Sequence, residues 1–363
     1  DTIITALETG NSKIIEKFRK PEFRAANDYA YQLRLFIGRY GFGTQELERF
    51  QNSWSSVIER AMKNSFSDFM ENSNIKTNVS FPPVKNALDH IYASENDVPK
   101  ALSRIKKGEI VAISAGAHGK GPGLVIYKDF VFICNRGSDS ERPGIEIFRM
   151  GNAKNLEKTL NLILEELKYK GDSKLTRSTL IERLNLSPEH HIPHSYLSNE
   201  NGTHAAAKLM AEAAACADLI ASKGIPNSPQ AWKAIENEAR PFYKAFTTFD
   251  REVAVKDLLK LIREHSEDLT SEKLLAIGVP PVPSLVIVLV SNLRLPEQWQ
   301  SYLEMEKLIN EKPNLFSAED RQEIKKAALK HIEEVLSKNV NLTVAERMPM
   351  MDYLLNQGPK NVA

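Results

Sequence analysis

Apolar positions over residues 1–100 recur at intervals of three and four. They are Ile14 and Phe18, then Tyr31, Leu33, Phe36 and Ile37, then Phe50, Trp54, Val57, Ile58 and Met62. That spacing is the helix period and predicts a helical N-terminal region. Gly41 and Gly43 mark a turn, and Thr44 with Glu46 and Glu48 behind it marks a helix start. Ser80, Phe81, Pro82 and Pro83 predict an extended break, with a short helix after it over 84–93.

The period then changes. Residues 109–114 and 123–127 are compact apolar runs that predict strands. Lys128 and Asp129 separate the second run from a third, 130–134, which is the pattern of a hairpin. Ile145, Glu146, Ile147 and Phe148 alternate after Gly144, so residues 109–149 predict an antiparallel sheet.

Helical spacing returns with Leu156, Leu160, Ile163, Leu164 and Leu167, and a short helix is expected over 178–184. Residues 187–195, with two prolines and three histidines, predict a loop. An alanine-rich helix follows over 203–222, capped by Gly224 and stopped by Pro226 and Pro229. One or two helices are expected over 230–265. Gly278, Pro280, Pro281 and Pro283 mark the expected linker, and a helix starts at Ser317 with Glu319 and Asp320 in place near its N-terminus. Residues 352–358 faintly echo the end of an ankyrin-type repeat, without a second copy at a fixed period.

Length sets a prior of two domains, with three in range. We divide the chain into a helical region 1–100, an α+β domain 101–265 and a helical C-terminal domain 266–363. The formal charge of +1 leaves no electrostatic footprint for nucleic acid or anionic lipid. The 2 cysteines, Cys134 and Cys216, exclude a disulfide scaffold and fit a reducing compartment. The longest apolar run, 285–290, is too short to span a bilayer, which predicts a soluble protein. No secretory signal peptide is visible, and a start at Asp1 without Met is expected of a trimmed chain or of a fragment.

Candidate chemistry begins at His118, in a glycine-rich stretch before the second strand, and continues at Asn135 after the third. A hairpin folds back on itself, so these two residues can meet near its open end. A His oriented by an Asn is what a thiol or hydroxyl nucleophile needs: the imidazole takes the proton and the amide fixes its tautomer. The same residues also read as a glycine-rich turn with a solvated His and a strand-capping Asn. His190, His191 and His194, with His204 near, lack a usual metal-ligand spacing and predict solvated loop histidines rather than a metal site. Gly119, Gly121 and Gly123 resemble a phosphate loop in glycine content alone, since a strand follows where a helix should. Arg136 and Arg142 flank Asp139 and Glu141 and are expected to pair locally.

The run 123–137, followed by 144–148, resembles the central hairpin of papain-like cysteine-protease domains. In particular it is similar to those of type IV secretion effectors of intracellular bacteria, several of which also carry ankyrin repeats. The resemblance covers residues 100–255, with further similarity over 198–208 and 239–251. It implies the order His, then Asn or Asp, then Cys, as in the ubiquitin-like-protein proteases. The nucleophile then opens a long helix, in a stretch of the form Gln-x-x-(Gly)-Asn-Cys-x-Trp-Ala.

In that alignment Asn201 keeps the Asn, Gly202 stands at the Cys position and His204 at the Trp position. The Gln falls at Asn199 or earlier. The family His falls on His118 or, with a shorter loop, on Lys120, and Asp139 replaces Asn135 if the register is shifted. Thr203 offers a hydroxyl where the family has a thiol, and so needs a stronger base. Cys134 points to the face opposite Asn135, and Cys216 lies about 20 Å along the helix from Thr203; both read as core. Ser53 beside Trp54, an alternative in papain order, also has Ser for Cys.

The resemblance thus implies an α+β, papain-like core flanked by helices. Its site would comprise His118 as base, Asn135 as orienter, Gly202 at the nucleophile position and Thr203, with the helix amides around 202 and 203 as oxyanion donors. Without a thiolate, the expected function is that of a catalytically silent effector. It would be delivered by a bacterium into the host cytosol and would bind a host protein, such as a ubiquitin-like protein or a peptide segment, in its cleft. The alternative is an active hydrolase or acyl-transferase, deubiquitinase-like or transglutaminase-like, with an altered nucleophile. A third reading is a helical structural protein with an incidental hairpin. No cofactor, metal or nucleic acid is expected.

Overall fold

The computed structural model describes residues 29, 32, 33, 36, 55–72, 79–92, 97–114, 123–135, 142–151, 153–166, 177–194, 202–276, 280–291, 299–338 and 343–357, with backbone alone for 55–63, 153, 164–166, 202–207, 276, 300, 346 and 357. Backbone contacts divide the chain into two units, Gly38–Val253, and Asp1–Ile37 with Ala254–Ala363.

The first unit is built on a five-stranded antiparallel meander. Before it come α1 (Ser55–Asn72), α2 (Phe81–Asp89) and α3 (Val98–Lys106). The strands are β1 (Val111–Ser114), β2 (Gly123–Tyr127), β3 (Phe130–Asn135) and β4 (Gly144–Met150). A 3-10 turn, α4 (Leu156–Glu166) and α5 (Arg177–Leu184) lead to β5 (Leu186–Pro193). Then come α6 (Gly202–Lys223) and α7 (Pro229–His265), whose last turns enter the second unit.

Both faces of the sheet are covered, which is why β1, β2 and β3 read as continuous apolar runs rather than alternating ones. Ala112, Val125, Phe132, Cys134, Ile145 and Ile192 share a core with α1, α2, α6 and α7. There Phe66 and Phe69 meet Phe242 and Phe246, with ring centroids 5.1 to 6.0 Å apart. Val111, Ile113, Leu124, Ile133, Phe148 and Leu186 face the other way, onto α3, α4 and α5. The described helices before residue 100 therefore supply core to the sheet.

Two expectations are overturned. Residues 80–83 are not an extended break. Phe81 opens α2, with the prolines in its first turn, where a missing N–H costs nothing. Ser80 makes no side-chain cap; its N–H instead donates to Asp218 Oδ2 of α6 at 2.6 Å. The predicted loop 187–195 is instead mostly strand β5, at the edge of the sheet. A register shift opposite Ile147 and Phe148 reverses its facing, so Leu186 and Ile192 point to opposite sides despite an even separation. His194 N–H donates to Pro143 O at 3.1 Å, so Pro193 falls at a position whose backbone groups face outward, where proline is tolerated.

The second unit is helical: the end of α7, then α8 (Ser271–Ala276), α9 (Val282–Val290), α10 (Trp299–Glu311), α11 (Ala318–Lys338) and α12 (Val344–Gln357). The apolar run 285–290 lies within α9, and Leu285, Val286, Leu289 and Val290 are buried. Ser317 and Asp320 cap α11 reciprocally, Asp320 N–H to Ser317 Oγ at 3.1 Å and Ser317 N–H to Asp320 Oδ2 at 2.8 Å. Tyr302 and Tyr353 share a hydroxyl hydrogen bond of 2.7 Å. No described helix is long and apolar enough to cross a membrane.

Gly144 and Gly224 both have positive φ, +135° and +94°. A Cβ on Gly144 would lie 2.1 Å from the Ile192 carbonyl oxygen of β5, whereas at Gly224 it would meet nothing within 4 Å. Gly144→Ala should therefore cost about 3 kcal/mol or more and Gly224→Ala about 1–2 kcal/mol. Urea unfolding of the two variants checks this; equal costs would show that the strand contact yields freely.

Candidate functional site

Strands β1, β3 and β5 end, and β2 and β4 begin, along one rim of the sheet. The register sets Ser114 beside Gly123, Gly123 beside Cys134, Asn135 beside Gly144 and Gly144 beside Pro193. The connection 115–122 thus leaves and rejoins the sheet at this rim, as does 136–143. Residues 195–201 lead from the same rim to the start of α6. The segment carrying His118 and the strand end carrying Asn135 are thus joined to this rim.

Asn135 is half-buried at the end of β3. His118, Lys120, Asp139 and Asn201 lie outside the described residues. So do Ser53, Trp54, Arg136 and Glu141. Gly202 and Thr203 are the first residues of α6, and their side chains also lie outside the description. Helix and ribbon do pack together: a Cβ on Gly123 would sit 2.7 Å from Met210 Cγ.

The described polar cluster nearest the rim is one that the sequence reading missed. Alanines 211, 213, 214, 215 and 217 let α6 run close to its neighbours, and Glu212 is fully buried among them. Glu212 Oε2 lies 2.7 Å from His194 Nε2, just past the end of β5. Arg240 of α7 places Nε 3.0 Å from Oε1, off the line of a hydrogen bond, and donates from Nη2 to the Pro193 carbonyl at 3.0 Å. One carboxylate thus ties β5, α6 and α7. The His194 ring stands edge-on to Tyr243, 4.8 Å between centroids.

Next along β5, His190 stacks on Trp232 at 5.4 Å, with Nε2 3.5 Å from Glu236 Oε2. Lys233 reaches Glu236 at 2.9 Å and Arg240 reaches it at 3.5 Å. Burial pushes the Glu236 carboxyl up, but Lys233, Arg240 and His190 together hold it below its ordinary value. Burial lowers His190, and Glu236 offsets that in part.

These histidines are not the solvated loop residues that the sequence suggested. The His194 side chain is 4% exposed and that of His190 20%. His191 faces Glu146 across the β4–β5 ladder, and Glu146 is gripped by Arg177 at 2.5 and 2.6 Å. Among the described residues no group of three or more His, Cys, Asp or Glu could hold a metal ion. Sequence held one signal of the cluster: Glu212 is a carboxylate inside a run of alanines, where an unpaired charge would be costly.

Cys134 and Cys216 are both fully buried. Burial, then the charge of Glu212, pushes each thiol well above its ordinary value. Neither is a thiolate near neutral pH, and a thiol must ionise to attack.

No family profile matches the chain, and no curated protein matches it. The chain is similar in fold to a structure of the Legionella effector AnkH. The two share 13% identity with a TM-score of 0.54, over 100% of this chain and 76% of that one. At that identity the likeness is one of fold.

Two measurements test the cluster. Glu212→Ala leaves Arg240 beside a buried void and should cost about 3–5 kcal/mol, read by urea unfolding. A near-neutral result would mean that the charge is dispensable. The second measurement concerns His190, which has a folded pKa below its unfolded value. The folded state then binds fewer protons, so its contribution is full above about pH 6.5 and is lost as pH falls through the window below. His190→Gln should flatten part of the stability loss as pH falls below about 6.5; an unchanged slope would place the titration elsewhere.

Proposed function

We propose that this chain is a bacterial effector whose papain-like core is catalytically silent and which binds a host protein at the rim of its sheet. The observation that carries the silent reading is the burial of both thiols, since the chain has no third. The fold likeness to a Legionella effector supports the effector class. Delivery through a type IV system into the host cytosol follows from that class. The rim supports the binding reading: the ends of β1, β3 and β5 and the starts of β2 and β4 lie along it, and the connections that leave strand ends are where a rigid scaffold usually carries function.

In this reading His118, Asn135, Gly202 and Thr203 form a groove that no longer carries out acyl transfer. The α6 amides at its start can still cradle a partner's carbonyl or carboxylate. The Glu212 cluster holds β5 and α6 in place behind the groove.

The test uses the full chain and two electrophilic ubiquitin probes, one selective for thiols and one for hydroxyls. No adduct should form with either. An adduct at Thr203 or at a cysteine would restore the alternative, an active hydrolase or acyl-transferase. In parallel, a host protein captured by the wild-type chain should bind Asn135→Ala about tenfold more weakly; undiminished binding would remove the rim from the interface.

A further inference from the structure

The second unit holds a cleft of its own, about 380 Å³, between α10 and α11. Its floor is apolar: the Tyr302 ring, Ile309 and Ile324, each buried. Its walls carry Arg321, with Asn310 and Gln322 as further donors. The one carboxylate there, Glu306, already accepts from the Tyr353 hydroxyl.

Arg321 is half-buried and has no acidic partner among the described residues. A guanidinium is a planar fork suited to two parallel hydrogen bonds with a carboxylate. Partly removed from water and unpaired, it lacks the acceptor that its surroundings invite. The cleft's volume is at the small end of ligand sites and suits about two side chains. A half-solvated ion contact alone is worth little, so an occupant needs apolar contact as well.

We propose that this cleft binds an acidic peptide: an Asp or Glu carboxylate on Arg321, with the adjoining apolar side chain on Ile309, Ile324 and Tyr302. The charge favours it, since Arg321 has no acidic partner among the described residues and Glu306 is already engaged by Tyr353. The site is separate from the rim and does not depend on the rim reading.

The experiment uses the full chain and two fluorescein-labelled hexapeptide libraries, identical except that one fixes Glu-Leu at its centre and the other Gln-Leu. Anisotropy should show the Glu library binding about tenfold tighter. Arg321→Gln should remove that preference, and Arg321→Lys, which keeps the charge but not the fork, should restore only part of it. Thermal unfolding confirms that both variants fold. Equal binding of the two libraries, no binding of either, or a preference that survives Arg321→Gln would overturn the proposal. So would N-acetylglutamate binding as tightly as the Glu library, which would make this a small-carboxylate site.

Discussion

Helix α6 is buried along 208–220, and that stretch contains Lys208, Glu212 and Asp218. A buried charge is tolerated only when it is met, and each of these is met from outside α6. Lys208 reaches Asp250 of α7 at 2.8 Å, and Ser65 of α1 donates to the other oxygen of Asp250 at 2.6 Å. Glu212 meets His194 and Arg240. Asp218 accepts the N–H that precedes α2. The sheet's own ladder does not require α6 to take one particular axial position; these partners do. A slide of one turn, about 5.4 Å, would strand all of them at once.

The alanines are the other half of that constraint. Large side chains would hold α6 away from the sheet and put its carboxylates out of reach of β5 and α7. Small ones bring the backbone in, at the cost of leaving little apolar surface on α6 itself. The phenylalanines of α1 and α7 supply bulk beside it, and Trp232 packs edge-on to Phe130 at 6.1 Å. The rim is the product of both: the meander lines up five chain ends, and the ion cluster pins the end of β5 against the helix that starts nearby.

How much of this was legible in the sequence depended on range. Strands β1 to β3 were readable because burial on both faces leaves unbroken apolar runs, β4 by its alternation after Gly144, and the β2–β3 hairpin because only Lys128 and Asp129 separate its strands. β5 was not, because its prolines and histidines are edge-strand chemistry and its register shift hides the alternation. Pro82 and Pro83 were taken for a break because the same residues start helices as well as end them; the deciding partner, Asp218, is 138 residues away from Ser80. For the candidate site, the tethering of Asn135 and the His118 segment at one hairpin end followed from register alone. The His194–Glu212–Arg240 contact did not, because nothing local in three separate segments announces that they meet.

That contact also bears on chemistry. A cysteine nucleophile requires positive charge or a helix amide near its sulfur to favour the thiolate. Here burial raises both thiols and the Glu212 carboxylate raises them further, while Arg240 opposes this only weakly at Cys216. Burial is the first cause that keeps both cysteines protonated, and the group that fixes β5, α6 and α7 adds to it. Exposing a thiol would require loosening the elements that would have to present it. In this fold the packing of α6 and thiol catalysis by these cysteines are alternatives, and the alanine-lined interior is organised around the first.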